Sequence, residues 1–293
     1  MRGLLALTVV LATACSPSGA VPGPASGTAG KPVRSFAYQL QGYPGGRLDH
    51  LAKAPHDLAI IDLSRDATVP GYFGREEIER LRRTGKKVLA YFEIGSIEEF
   101  RTEFPATDGL RLNRWDEWPD EHFVRFWEPA WWDRVIRPRV DQAVRAGFDG
   151  VYLDTPLAYE EIDLKLVPGE SRASLARRMA DLVIRISRHA PGLLVFPQNS
   201  PELREQRGYT EAIDGIGMED LFFRDDRPCT EDWCAENLAG AKALRELGKT
   251  VLATDYATSP ANVRAACAKY AEHGFAGNVT TLDLDHIGRP CNA

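Results

Sequence analysis

The stretch FDGVYLD, residues 148–154, decides the fold class of this 293-residue chain. Its apolar run, GVYLD at residues 150–154, is typical of a buried strand, yet it ends on Asp154, directly before Thr155 and Pro156. Burying an unpaired carboxylate is unfavourable. A strand that is apolar on both faces and acidic at its carboxyl end is typical of a barrel strand, whose C-terminal end opens onto a solvent-accessible rim.

Seven further apolar runs share this character and alternate with amphipathic stretches. The runs cover residues 35–41, 57–63, 86–94, 193–199, 215–223, 250–256 and 276–285. Helices are predicted at 75–85 and 174–190 from their apolar spacing, and Gly85, Gly147 and Gly248 are predicted to end helices shortly before the next strand. Alternation of strands and helices indicates a parallel sheet.

Eight such units predict a single-domain (β/α)8 TIM barrel over residues 33–293. Only IGRPCNA follows the eighth strand and its His286, so the final helix is expected to be short or missing. A split, open α/β sheet is the alternative fold.

The N-terminal residues MRGLLALTVVLATAC carry a basic residue and then an apolar run too short to cross a bilayer. We interpret residues 1–14 as an export signal, ending at a signal-peptidase site or at a bacterial lipoprotein box that would make Cys15 the lipidated N-terminus. Residues 15–32 are a Pro/Gly/Ser tether. The expected location is therefore outside the cell, either lipid-anchored on the outer face of the bacterial membrane or secreted.

Four more cysteines remain, and an even number in an exported protein indicates disulfides. We favour Cys229 with Cys234 and Cys267 with Cys291. A zinc site built from all four is the alternative, although the second pair lacks the short spacing typical of such sites.

Composition and charge argue against nucleic acid as a partner. The formal net charge is −6 and no long Lys/Arg run occurs, so nucleic acid is not expected as a ligand. Polar residues instead gather at the predicted strand ends. They are Gln39, Gln41, Asp62, Glu93, Asp154, Gln198, Asn199, Glu219, Asp220, Asp255, Asp283 and Asp285.

The residues at this rim favour glycoside hydrolysis. No lysine ends a strand, no Gly-rich phosphate turn follows the last two strands, and His286 alone among the histidines lies near a strand end, so we expect no cofactor and no metal. Glycosidases typically use two carboxyl groups that flank the scissile glycosidic bond. Asp154 and Glu219 are the predicted pair, although each could instead cap a helix or pair with an arginine. Asp220 competes with Glu219, but strand alternation turns only one of them inward.

Tryptophans are concentrated in the connection before the fourth strand. Residues 114–134 hold five of the six in the chain. Sugar rings stack on such faces, so one or two of these tryptophans are expected to line the cleft and most to lie in the core. Trp127 is our candidate for the cleft.

Six motifs in order resemble glycoside hydrolase family 114, the endo-α-1,4-polygalactosaminidases and their relatives. They are DLAIIDL, KKVLAYFEIGSIEEFR, VRFWEPAWW, AGFDGVYLD, PQN and MEDLFF, and together they span nearly all of residues 36–285. The resemblance implies a (β/α)8 barrel with Asp154 and Glu219 as catalytic carboxyl groups. It also implies substrate-lining roles for Tyr38, Asp62, Tyr91, Asn199 and Tyr256. Glu93 stands where the family usually has a small polar residue, and Ser96-Ile97 replaces a more acidic pair.

The family's substrate supplies a reason for the acidic rim. A de-N-acetylated galactosamine polymer is cationic, and carboxylates such as Glu93 and Asp255 would concentrate it in a cleft. Salt bridges to arginines are the other explanation for these carboxylates.

These observations predict a monomeric extracellular enzyme that cleaves α-1,4 bonds in a galactosamine-containing exopolysaccharide. Asp154 is assigned as nucleophile and Glu219 as general acid/base. Two alternatives stay open: a non-catalytic polysaccharide-binding lipoprotein on the same barrel, and a glycosidase for a different glycan.

Overall fold

The computed structural model describes residues 32–291. The predicted signal segment, Cys15 and all of the tether except Pro32 lie outside the described residues. The strands, in chain order, are β1 (Phe36–Tyr38), β2 (Leu58–Asp62), β3 (Lys87–Glu93), β4 (Ser96–Glu98), β5 (Arg111–Arg114), β6 (Glu121–Val124), β7 (Gly150–Asp154), β8 (Leu194–Pro197), β9 (Gly215–Glu219), β10 (Phe223–Arg224), β11 (Arg227–Pro228), β12 (Thr250–Tyr256), β13 (Ala276–Thr280) and β14 (Arg289–Pro290).

The helices are α1 (Asp49–Lys53), α2 (Arg75–Arg82), α3 (Pro129–Trp131), α4 (Arg137–Ala146), α5 (Ala158–Glu161), α6 (Arg172–His189), α7 (Tyr209–Ala212), α8 (Asp232–Glu246) and α9 (Pro260–His273). The glycines predicted to end helices follow α2, α4 and α8. They are Gly85, Gly147 and Gly248, and all have positive φ, between 82° and 89°. This left-handed conformation carries no Cβ penalty in glycine.

Eight parallel strands follow one another in the order expected of a TIM barrel. Strands β1, β2, β3, β7 and β8 form one ladder, and β9, β12 and β13 form the other. Single parallel bridges, Gln198 with Gly217 and Ser35 with Gly277, join the two ladders at both seams. The predicted mixed α/β fold with a parallel barrel-type sheet is confirmed.

Aromatic side chains fill the interior of this sheet beneath its C-terminal rim. The buried interior cluster includes Tyr38, Tyr91, Tyr152, Phe196 and Tyr256. A Cβ at Gly217 would lie 2.0 Å from the hydroxyl of Tyr152, so glycine at this position makes room for the ring. The interior is therefore packed, and ligands have access only from the rim.

The long connection between β3 and α3 forms a small sheet of its own. Its strands β4, β6 and β5 pair antiparallel. Trp131, just beyond it, is fully buried and donates its indole N–H to the carbonyl of Ile94 at 2.9 Å. Within the insertion, the backbone N–H of Val124 donates to the carbonyl of Gly95 at 3.1 Å, directly after β3, and residues 113–121 form one wall of the rim.

Both disulfides favoured from the sequence are present: Cys229–Cys234 and Cys267–Cys291. The cysteines are therefore not zinc ligands. No helix follows β13 within the described residues; instead β14 pairs antiparallel with β13 and Cys291 is bonded to α9. The disulfide therefore ties the segment after β13 to α9. Between residues 32 and 291 the structure has no helix that could span a membrane.

Candidate active site

A cleft of about 2050 Å³ lies at the carboxyl ends of the barrel strands. Asp154 and Glu219 both line it. So do five of the predicted substrate-binding residues: Tyr38, Asp62, Tyr91, Asn199 and Tyr256. Glu93, Trp127 and Asp255 do not line the cleft, for reasons given below.

Asp154 ends β7 between two neighbouring strands and is held by two donors. Its Oδ2 accepts a short hydrogen bond from the Tyr91 hydroxyl. Its Oδ1 accepts the backbone N–H of Thr155 at 2.6 Å. Thr155 is fully buried and has a φ of 61°, an unusual value for a β-branched residue. The backbone turns there so that the amide points back at the carboxylate.

A glycine on β3's side of the cleft makes this turn possible. A Cβ at Gly95 would lie 2.2 Å from the carbonyl oxygen of Thr155. The next residue, Ser96, has its hydroxyl 2.8 Å from the Thr155 hydroxyl. The EIGS segment therefore supports the left-handed residue that orients Asp154.

Glu219 ends β9 and is held by side chains from three other strand ends. Its Oε1 accepts from the Tyr256 hydroxyl at 2.6 Å, and its Oε2 accepts from the Gln198 amide, also at 2.6 Å. Tyr38 donates to Gln198 at 3.2 Å. The backbone N–H of Glu219 donates to Asn199 Oδ1 at 3.0 Å. Strand ends β1, β8 and β12 thus fix the Glu219 carboxyl group.

The two carboxyl groups differ in proton affinity. Burial raises the pKa of Asp154 to about 6, and the hydrogen bonds from Tyr91 and Thr155 limit the rise. Burial and the neighbouring Asp154 charge raise the pKa of Glu219 to about 8. Near pH 7 Asp154 is thus mostly ionised and Glu219 mostly protonated. Separated pKa values of this kind distinguish the base or nucleophile from the acid in an enzyme site.

Asp220 also lines the cleft, contrary to the alternation argument. The chain leaves β9 at this residue with a φ of 54°, so the strand period of two no longer applies. Its Oδ1 is buried without a hydrogen-bond partner, and burial raises its pKa to about 7. Asp220 is therefore a third carboxyl group on this side of the cleft.

The insertion contributes two carboxyl groups that the sequence analysis did not identify. Glu98 and Glu121, on β4 and β6, line the cleft. Ser96 donates a short hydrogen bond to Glu121 and so connects it to Thr155. Burial, followed by the Asp154 charge, raises the pKa of Glu121 to about 9. The strands that carry these residues are short and charged, so the sequence shows no alternation of apolar and polar residues that would have predicted them.

Glu93 was predicted to bind substrate, but the structure places it in a buried ion network. It is 1% exposed and accepts from Arg139 at 3.0 Å, while Arg101 lies 3.3 Å away. Arg101 also bonds Asp62 at 2.7 Å. Asp62 therefore borders the cleft with its charge already paired, whereas Glu93 supports the wall behind it.

Asp255 and Trp127 likewise have structural positions. Asp255 is fully buried and accepts from the backbone N–H groups of Phe222 and Phe223 at 2.8 and 2.9 Å, which fixes the loop after β9. Trp127 packs edge-on against Phe126, with the ring centroids 5.0 Å apart. The indole is half-buried and packs against the core.

A barrel-type sheet with an acidic cleft at its carboxyl rim is the arrangement expected of a glycoside hydrolase. The family assignment follows from its sequence: the chain belongs to glycoside hydrolase family GH114, whose model matches residues 18–293. The expected resemblance is confirmed.

The chain is also similar to other proteins in sequence and to solved structures in fold. An uncharacterized protein of Deinococcus radiodurans is 28% identical over 265 residues, which are 87% of this chain and 82% of the relative. A variant of the glycoside hydrolase domain of PelA from Pseudomonas aeruginosa superposes with a TM-score of 0.70 at 19% identity, covering 88% of this chain and 99% of that domain. Aspergillus fumigatus Ega3, in complex with galactosamine, gives a TM-score of 0.68 at 16% identity, covering 91% and 100%. At these identities the solved structures show the fold.

Proposed function

We propose that this glycosidase cleaves α-1,4 bonds within an extracellular galactosamine-containing polysaccharide, with Asp154 as nucleophile and Glu219 as general acid/base. The observation that carries the proposal is the separation of the two proton affinities in one cleft. Asp154, near pKa 6, supplies a carboxylate, whereas Glu219, near pKa 8, supplies a proton at neutral pH.

The chemistry follows from these protonation states. The Asp154 carboxylate attacks the anomeric carbon as the bond from that carbon to the leaving oxygen breaks, and Glu219 delivers its proton to that oxygen. The ionised Glu219 then takes a proton from water, whose oxygen displaces Asp154. Hydrogen bonds from Tyr91 and Tyr256 hold the two groups in place during both steps.

Charge in the cleft supports an amino sugar as the substrate. Carboxyl side chains outnumber guanidinium groups by more than three to one among the residues that line it, and lysine is absent from that lining. A cleft lined by charges of one sign concentrates ligands that carry the opposite charge. The presence of galactosamine in the Ega3 structure agrees with this choice.

The test is hydrolysis of partly deacetylated α-1,4-linked polygalactosamine, followed by release of reducing ends. Asp154→Asn and Glu219→Gln should each reduce the rate by at least about 100-fold. Asp181→Asn, the same change on the outer face of α6, is the control and should match the wild type. Full activity in both cleft variants would refute the assignment, and retention of the polymer without product release would favour a binding protein.

We further propose that the protein is exported and anchored through a lipid on Cys15. The two disulfides fit an oxidising compartment. Cells given a labelled fatty acid should label the wild type but not Cys15→Ser, and the variant should move from the membrane fraction to the medium. Equal labelling of both proteins would exclude lipidation at Cys15.

A further inference from the structure

The first two turns of α8 carry a polar and aromatic stripe that faces the cleft. Trp233, Glu236, Asn237 and Gly240 are spaced i, i+3, i+4 and i+7 and therefore share one helix face. All four line the cleft. Cys234, Ala241 and Leu244 are buried against the protein. A surface helix normally turns its polar face to bulk solvent, whereas this stripe of α8 borders the cleft that holds Asp154 and Glu219.

Two structural features hold the stripe in place. The Cys229–Cys234 disulfide brackets the turn that leads into Trp233. At the other end, a Cβ at Gly240 would lie 2.6 Å from Cγ of Pro201, so only glycine lets α8 approach the segment after β8 this closely. A site whose elements are fixed in advance loses less entropy when it binds a ligand.

The three side chains of the stripe offer complementary contacts. Trp233 is 36% exposed, and Phe100 and Trp118, the other exposed Phe and Trp side chains of the described residues, line the same cleft. The Glu236 carboxylate and the Asn237 amide make no hydrogen bond or ion pair within residues 32–291. Arg204, which lines this part of the cleft, is engaged with the Pro201 carbonyl and with Glu205 at 2.9 and 3.5 Å.

We propose that Trp233, Glu236 and Asn237 form an outlying subsite for one 2-amino-2-deoxyhexose unit of a polymer whose scissile bond lies at Asp154 and Glu219. The indole stacks on the sugar ring, the carboxylate attracts the ammonium group, and the amide bonds ring hydroxyls. The inference rests on the proposed function. The cleft, at about 2050 Å³, exceeds the roughly 300–1000 Å³ of a small-molecule pocket, so it has room for several units.

Binding to the full chain carrying Glu219→Gln tests the subsite without turnover. Calorimetry measures Kd for α-1,4-linked galactosamine oligomers of two and eight units. Adding Trp233→Ala should raise Kd for the octamer about ten-fold and leave the dimer within about two-fold. Adding Glu236→Gln should weaken binding of the galactosamine octamer but not binding of its N-acetylated counterpart. Glu246→Gln, which changes an exposed carboxyl at the far end of α8, should weaken binding of neither octamer.

The outcomes separate the two proposals. If the Glu219→Gln parent binds both oligomers and Trp233→Ala leaves the octamer Kd unchanged, the subsite is refuted and the proposed function stands. If the parent binds neither oligomer, the galactosamine substrate is refuted and the subsite with it. Replacing Cys229 and Cys234 by serine provides a second variant, which should show the same selective loss for the octamer; unchanged octamer binding would refute the role of the disulfide in holding the stripe.

Discussion

Glu98 and Glu121 lie directly opposite each other on the paired strands β4 and β6. Like charges in this position repel, so the pair cannot readily carry two charges. Glu98 has a cationic partner, since Arg101 donates to it at 2.7 Å, whereas Glu121 has the Ser96 hydroxyl. The proton of the pair therefore resides on Glu121, whose pKa is the higher of the two, about 9 against about 7.

This relationship predicts how stability depends on pH. In the unfolded chain Glu121 loses its proton near pH 4.5, but in the folded protein it keeps it to about pH 9. Between these values folding takes up a proton, so the free energy of unfolding falls as pH rises, by at most about 1.4 kcal/mol per pH unit from this group. Glu121→Gln removes that dependence. Urea unfolding should show equal stability at pH 5 and a more stable variant at pH 9.

Glu246→Gln is the matched control for this experiment and should follow the wild type throughout. A constant difference between Glu121→Gln and wild type from pH 5 to pH 9 would contradict a proton held on Glu121.

The pH dependence of kcat/KM should be bell-shaped, with limbs near pH 6 and pH 8. Activity rises as Asp154 ionises and falls as Glu219 loses its proton. Tyr91→Phe removes a donor to the Asp154 carboxylate, which raises its pKa and moves the acid limb to higher pH. Tyr256→Phe raises the pKa of Glu219 in the same way and moves the alkaline limb to higher pH. Each shift should be about one unit.

Tyr91→Phe should thus narrow the pH range of activity, and Tyr256→Phe should widen it. Tyr209→Phe removes a buried hydroxyl that has no hydrogen-bond partner among the described residues, so it should move neither limb. If either cleft variant shifted the opposite limb, the assignment of the two carboxyl groups would have to be exchanged.

Arg139 should be essential for stability. It is buried and donates at 3.0 Å to both Glu93 and Glu103. Arg139→Met leaves those carboxylates without this partner and should lower the free energy of unfolding by about 3–5 kcal/mol. Arg137→Met, two positions earlier on α4, breaks an exposed pair with Asp133 and should cost less than about 1 kcal/mol. Equal losses in denaturant unfolding would contradict the buried network.

The disulfides should differ in their contribution to stability. Cys267–Cys291 spans 24 residues and Cys229–Cys234 spans 5. Chain entropy then predicts that the free energy of unfolding falls by about 3.5 and about 2 kcal/mol, respectively, when each pair is replaced by serine. Guanidinium unfolding of the two double variants measures the difference. A greater loss for the short loop would show that native contacts outweigh loop entropy.

The barrel strands could be predicted because each is a short apolar run between turn residues. The bounds predicted for Gly150–Asp154 and Thr250–Tyr256 are those of the structure. The run 215–223 was predicted as one strand but breaks at Asp220, where the backbone becomes left-handed. The small sheet β4, β6 and β5 was missed because its strands have three or four residues and several charges.

The site was only partly predictable for a related reason. Sequence places an acid at a strand end but does not reveal which remote residue meets it. Arg139, from α4, engages Glu93, and Tyr270, from α9, donates to Asp255 at 2.6 Å. These partners engage both acids within the protein. No local pattern pointed to the α8 stripe or to Glu121 either, since each depends on how a connection folds back over the rim.

The Cys267–Cys291 bond also sets an order of events during synthesis. Cys291 follows β13 in the chain, so this covalent link cannot form until all eight barrel strands have left the ribosome. Until then the last strand depends on noncovalent pairing alone. A chain truncated before Cys291 would lack this covalent link to α9 altogether.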